Sequence, residues 1–261
     1  MQSDGWRPEW GAPPGVRAWM STRQGGVSQA PFDSLNLARS VAGQADEPEA
    51  VAENRRRFAG AVGAEPVFLH QVHGIDVVEL GPQHLISGAP APVADASVTT
   101  RPGIACTVFA ADCLPVLFCT SDGRAVGAAH AGWRGLAAGV LEATTRKLVA
   151  LSGCAPSEIL AWLGPCIGPG RFEVGDDVRV VFTDQGGAAD DDAAFVPVTR
   201  RDGTPGWLAD LPLLASRRLG AAGVTRVYGG QWCTVSEPLR FFSFRRDGLT
   251  GRLAAAVAIS A

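Results

Sequence analysis

Cys113 and His130 bracket two apolar runs, LPVLFC and RAVGAAH, inside the stretch ADCLPVLFCTSDGRAVGAAHAGWRG (111–135). A thiol and an imidazole together can form a nucleophile–base pair or hold a soft divalent metal. If the two runs are strands joined by the turn SDG, antiparallel pairing carries Cys113 and His130 to the same edge of a sheet. QVHG (71–74) supplies a third group, His73, with Gly74 allowing a sharp turn and His70 three residues earlier. One Cys and two His would give zinc three protein ligands and leave a fourth position for water or substrate, the arrangement of a catalytic site. The intervals of 40 and 17 residues between these ligands are not a zinc-finger pattern. On spacing alone, two bland readings stay open: Cys113 as a small buried hydrophobe and His130 as a hydrogen-bonded core histidine. Asp95 and Asp112 read as turn formers through their own side-chain hydrogen bonds. Gly132 and Gly135 let the backbone turn closely into a following helix, whose first N–H groups can receive an anion.

The elements that would position these groups alternate between β and α patterns. Val51, Phe58 and Val62 predict an amphipathic helix over 47–62, and PVFLH and IDVVEL predict strands on either side of QVHG. GIACTVF, LPVLFC and RAVGAAH read as three strands. Leu136, Val140, Thr144, Leu148 and Leu151 then recur near a 3.6-residue period, predicting one helix that GCAP ends. ILAWLG reads as a strand, VGDDVRVVF as a short helix and WLADLPLLASRRLGAAG as a longer one, before strands VTRVYGG and RLAAAVAIS. The tract DQGGAADDDAA (184–194), rich in Gly, Ala and Asp, is the expected mobile loop. No Pro/Ser linker divides the chain. The expectation is therefore one α/β (α+β) domain over residues 1–261, with mixed strand order.

Composition narrows the function classes. The chain has 261 residues, 46% of them apolar, enough for a sizeable core, and a net charge of -3 with no Lys/Arg block. Nucleic-acid binding is not expected. Lys147 is the only lysine, so an anion site here would have to use arginine, the better bidentate ligand. No apolar leader and no run long enough to span a bilayer is present, which predicts a cytoplasmic protein without membrane contact. Six cysteines form no CxxC pair, so reduced thiols are the default.

Eight blocks occur in a fixed order: STRQGGVS (21–28), ENRRR (53–57), QVHG, ADAS (94–97), AADCLPV (110–116), HAGWRG (130–135), GPCIGP (164–169) and FFSFRRDGLTGR (241–252). Together they resemble the YfiH or laccase-domain family, also called the peptidoglycan editing factor or multicopper polyphenol oxidase family. The resemblance implies a metal site of His73, Cys113 and His130, with His70 outside it. It also implies a single domain of packed mixed β-sheets covered by helices, similar to the CNF/YfiH-like cysteine hydrolase fold of bacterial deamidating toxins.

The chemistry that the resemblance implies is phosphorolysis of adenosine, inosine, guanosine and methylthioadenosine, together with deamination of adenosine. A His/Cys/His zinc can lower the pKa of bound water to about 7, which suits attack on C6 of adenine. Phosphorolysis needs groups that hold phosphate below the ribose, and Arg23, Arg55 and Arg245 are the candidates, each lying in a family-like block. In STRQGGVS the Gly25-Gly26 pair could fold a loop around the anion, with a solvated turn as the alternative; the paired arginines of FFSFRRDG could equally form a solvated or salt-bridged edge. Expected partners are a purine nucleoside and phosphate, and the expected state is a monomer or homodimer. Three other functions compete: a metal-free Cys113–His130 hydrolase or deamidase, a copper-dependent polyphenol oxidase, and a non-enzymatic peptidoglycan editing factor. Four histidines are too few for a blue copper site plus a trinuclear cluster, although a single copper in place of zinc is chemically open.

Overall fold

The computed structural model describes residues 4–41, 43–183, 191–200 and 203–260. Its architecture follows from strands that are buried on both faces, as Ile104–Ala110 and Leu253–Ile259 show. Alternate residues of Leu253–Ile259 part company: Leu253, Ala255 and Val257 pack with Cys106, Val108, Leu117, Cys119, Val126 and Trp162 between two sheets. Ala254, Ala256 and Ala258 face the other way, beneath Phe58 and Val62 of the helix Pro48–Val62. The run of alanines lets that helix approach closely. Leu114–Thr120 divides likewise, with Leu114, Val116 and Phe118 directed to a second helical layer that includes Leu136, Val140, Leu148, Leu214 and Leu219. The result is four layers, helix on sheet on sheet on helix, and each fully buried Leu or Phe contributes about 1.5–3 kcal/mol.

The first sheet has the order Gly5–Trp6, Val16–Ser21, Leu253–Ile259, Ile104–Ala110, Glu65–Phe68. The second has the order Arg226–Gly229, Ile159–Leu163, Leu114–Thr120, Val126–Ala131, Ala96–Thr99, Val77–Glu79. Parallel and antiparallel pairings occur in both. The chain therefore crosses between sheets twice near the chemistry. Glu65–Phe68 leads through QVHG to Val77–Glu79, and Ile104–Ala110 leads through Asp112-Cys113 to Leu114–Thr120. A smaller sheet of Glu173–Val174, Pro205–Ala209 and Phe195–Thr199 lies beside these.

This is the mixed α/β arrangement of packed sheets covered by helices that the sequence predicts, with three local differences. The helix expected over the Leu136–Leu151 period is two helices, Trp133–Ala138 and Val140–Ser152, because Gly139 takes a left-handed φ of 102°. Trp207 and Leu208 belong to a strand, and the helix begins only at Leu211, where Asp210 accepts the Leu213 N–H at 2.9 Å and stops any earlier start. Of the tract 184–194, residues 184–190 lie outside the described residues, while Asp191–Ala194 is a short 3-10 helix tied by Asp192 to Arg179 and by the buried Ala194 to the core. Among the described residues no helix is long and apolar enough to cross a membrane.

Candidate metal centre

The hairpin register decides where Cys113 and His130 stand. His130 pairs with Pro115, two residues after Cys113 and on the same face of the pleat. His73 reaches the same place from the QVHG crossover, and its Nε2 lies 3.8 Å from Cys113 Sγ. The two imidazoles meet edge to face with centroids 4.8 Å apart. One ligand atom from each of the three residues lies within 4.8 Å of the others. Tetrahedral zinc would set its sulfur and nitrogen ligands about 3.6 Å apart, so the cluster is close to ligating geometry. His130 is buried, Cys113 half-buried and His73 exposed, which leaves the cluster open toward solvent on the His73 side.

Two buried carboxylates build this geometry. Asp95 is fully buried and accepts the backbone N–H groups of Val72, His73 and Gly74 at 3.0, 2.9 and 2.7 Å. The same side chain meets His130 Nδ1 at 2.8 Å, fixing the ring so that Nε2 is its free nitrogen. Asp112 is held by the Thr234 hydroxyl and by the Arg245 backbone N–H at 2.6 Å, while its carbonyl accepts the Ile167 N–H at 2.9 Å. Among the described residues, the two non-glycine positions with positive φ are His73 at 62° and Asp112 at 94°. Backbone strain is thus stored at one ligand and immediately before another, where these hydrogen bonds hold it in place. Gln71 adds a further tie, its amide bonding both the N–H and the carbonyl of Phe109 at 2.7 and 3.2 Å.

The electrostatics follow from the same contacts. Burial would raise the Cys113 thiol, but His130 and His73 outweigh it and bring the thiol down to about 6. Burial would lower His130, and the Cys113 thiolate together with Asp95 instead raises it to about 9. Burial also works against an ionised Asp95, yet His130 and the N–H groups of Gly74 and Val72 hold its carboxyl below the usual range. Each group thus favours the charged form of the other, a thiolate at Cys113 beside a protonated His130. Cys106 and Cys119, buried without such partners, are both pushed up to about 12 and are inert by comparison.

Residues 17–260 match the family described as Multi-copper polyphenol oxidoreductase laccase. The chain belongs to that laccase-domain family. A purine nucleoside phosphorylase of Pseudomonas aeruginosa is 52% identical over 251 residues, covering 96% of each chain. The purine nucleoside phosphorylase YfiH of Escherichia coli is 48% identical over 249 residues, covering 95% of each. A Neisseria meningitidis protein of known crystal structure superposes with a TM-score of 0.88 at 42% identity, covering 99% of this chain and 100% of that one. The Bacillus licheniformis protein YfiH gives 0.84 at 29% identity, covering 94% and 93%.

In this laccase-domain chain the three candidate arginines occupy different settings. Arg23 directs Nε and Nη2 to the Asp33 carbonyl and Nη1 to the Pro238 carbonyl, pairs with the Asp33 carboxylate at 3.3 Å and covers the Phe242 ring. The neighbouring Gly26 packs so tightly on Ser34 and Leu35 that a Cβ there would lie 2.1 Å from the Ser34 carbonyl oxygen. Arg245 borders the cluster through its backbone bond to Asp112, while its Nη1 turns away to the Glu173 carbonyl at 3.0 Å. Arg55 lies over the Phe68 ring at 4.1 Å and, among the described residues, donates only Nε, to the Leu37 carbonyl at 2.9 Å. His70 is exposed, outside the ligand group, and pairs with Val93 through backbone alone.

Asp95 and Asp112 are the functional residues that sequence reasoning missed. Reading them as turn formers captures their appetite for backbone N–H groups, but those groups belong to segments far away in sequence. The available signal was an acidic residue beside an apolar run that the fold buries on both faces.

Proposed function

We propose that this protein is a zinc-dependent purine nucleoside phosphorylase that also deaminates adenosine. The observation that carries the reading is the cluster of His73, Cys113 and His130, three ligands from one chain with an open side. Its support is the donor set, one thiolate and two imidazoles, which suits zinc and fits a site with a position left for substrate. The names of the two relatives above point to the same substrates. Bound zinc would supply a Lewis acid at that open position.

The remaining chemistry falls to the chain. In phosphorolysis a phosphate oxygen bonds to ribose C1′ as the C1′–N9 bond breaks, and the purine leaves with the bonding pair and takes up a proton. Arg55 would hold the phosphate, since its two Nη atoms have no acceptor among the described residues, unlike the guanidinium nitrogens that Arg23 commits to Asp33 and Pro238. Asp95 keeps His130 in one tautomer through its Nδ1, and Gly132 leaves room for the ligands, since a Cβ there would lie 2.9 Å from His73 Cδ2 and 3.0 Å from Cys113 Sγ. The reactants are small molecules and all three ligands come from one chain, so a monomer suffices.

The low-pKa thiol supports one other reading, a metal-free hydrolase or deamidase in which Cys113 attacks and His130 transfers the proton. Multicopper chemistry has less support, because a single ligand cluster of this kind occurs among the described residues. The test is a product assay on zinc-loaded protein given adenosine, inosine, guanosine or methylthioadenosine, with and without phosphate. Free base and ribose 1-phosphate are expected only when phosphate is present, with inosine as a separate product from adenosine. An unchanged nucleoside pool overturns the reading, and activity that survives chelation favours the thiol mechanism.

A further inference from the structure

Arg252 stands at the entrance to the last strand, Leu253–Ile259. Its backbone is pinned on both sides: its N–H donates to Asn36 Oδ1 at 2.9 Å and its carbonyl accepts the Leu37 N–H at 3.2 Å. In the guanidinium, Nη1 turns back to the carbonyls of Thr250 and Gly251, both at 3.1 Å. Among the described residues Nε and Nη2 have no acceptor, and no carboxylate pairs with this side chain. Neither nitrogen is among the sealed, partnerless polar atoms of the interior, so both remain open to an incoming ligand.

Arg55 shares this neighbourhood. The Leu37 residue whose N–H is held by Arg252 gives its carbonyl to Arg55 Nε at 2.9 Å. Leu37 thus ties the Arg252 backbone to the Arg55 side chain, and among the described residues neither half-buried guanidinium forms an ion pair with a carboxylate. The Phe68 and Phe109 rings wall the Arg55 side at 4.1 and 5.8 Å, and the Phe244 ring lies 5.8 Å from Arg252 Cζ. Burial depresses both groups, Arg55 to about 10 with Arg39 adding to the effect, whereas Cys113 and Asp112 partly restore the charge of Arg252. The strand register agrees: Leu253 pairs with Ala110, three residues before Cys113. Arg252 thus sits on the side toward the metal cluster. A half-buried cation that forms no ion pair among the described residues suits a ligand that brings its own negative charge.

We propose that Arg252 is a phosphate-binding residue, offering its open Nε and Nη2 to a tetrahedral oxyanion beside the metal cluster. The assignment of inorganic phosphate as the ligand rests on the phosphorylase reading; the anion subsite itself rests on the arginine geometry.

The experiment titrates zinc-loaded wild type, Arg252→Gln and Arg252→Lys with inorganic phosphate by calorimetry, and measures KM for phosphate and for nucleoside in phosphorolysis. Loss of one charge-assisted contact corresponds to roughly a 10- to 100-fold weaker Kd, and the same rise in phosphate KM is expected for Arg252→Gln. Nucleoside KM and zinc content should stay at the wild-type level, and Arg252→Lys should recover part of the affinity. Melting temperatures are recorded for both variants, and if Arg252→Gln does not fold, the Lys variant alone must show the weakened phosphate binding. Unaltered phosphate affinity in a folded variant overturns the proposal, as does an equal loss for phosphate and nucleoside. If wild type binds phosphate through Arg252 yet leaves nucleosides intact, the phosphorylase reading fails and the anion subsite stands.

Discussion

One carboxylate oxygen, Oδ1 of Asp95, meets His130 Nδ1 at 2.8 Å and the His73 backbone N–H at 2.9 Å. Two residues 57 positions apart are thereby oriented by a single buried atom. Asp95→Asn would keep one oxygen but place an NH2 against either the backbone donors or the imidazole. Zinc affinity should fall about 10- to 100-fold with the fold retained. Competition against a chromophoric chelator measures it, and unchanged affinity would show that Asp95 only shapes the loop.

Metal removal should expose the thiol chemistry. In chelated protein, alkylation of Cys113 by iodoacetamide should rise through a midpoint near pH 6, where the thiol is brought by His130 and His73. The sign is set by charge: His130→Gln removes the cation that favours thiolate, so the midpoint must move upward, toward the usual value of about 8.5. Peptide mapping by mass spectrometry isolates Cys113, and zinc should protect it.

Gly132→Ala tests how tightly the ligands are packed. Gly132 has φ of -62°, which alanine adopts freely, so the substitution acts through space alone. The new methyl would lie 2.9 Å from His73 Cδ2 and 3.0 Å from Cys113 Sγ and force them apart. Zinc content should drop at least tenfold while circular dichroism is unchanged; full zinc occupancy would contradict the geometry described above.

At Gly139 the expected effect is on stability. With φ of 102°, the residue caps one helix and starts the next, and alanine there is strained in the folded state. Gly139→Ala should cost about 1 kcal/mol or more in chemical denaturation, with activity retained in what remains folded.

Gly139 also shows where sequence reasoning stops. The apolar period from Leu136 to Leu151 runs through it unbroken, because a helix that restarts after one left-handed residue keeps nearly the same buried face. Cys113 and His130 were legible for the opposite reason: the turn SDG sets the register of the hairpin, and register alone fixes which side chains share an edge. His73 was a candidate by residue type alone, and the resemblance was needed to choose it over His70, since its loop belongs to a crossover between sheets that no local pattern encodes. Arg252 was invisible because its significance is what it lacks, a carboxylate, and partners cannot be counted before the chain is folded. Trp207 was misread as helical because WLADLPLL has an apolar spacing that either element accommodates until Asp210 caps the helix.

The two crossovers have a mechanical consequence. His73 lies on the connection from Glu65–Phe68 to Val77–Glu79, and Cys113 lies on the connection from Ile104–Ala110 to Leu114–Thr120, so each leaves the first sheet for the second. An ion gripped by both, and by His130 at the end of a second-sheet strand, would close a covalent-like loop across the gap between the layers. It would act as a rivet. Peeling the sheets apart would first require the ion to let go, so the barrier to unfolding, and with it the lifetime of the native state against proteases, should be set by how fast the metal dissociates.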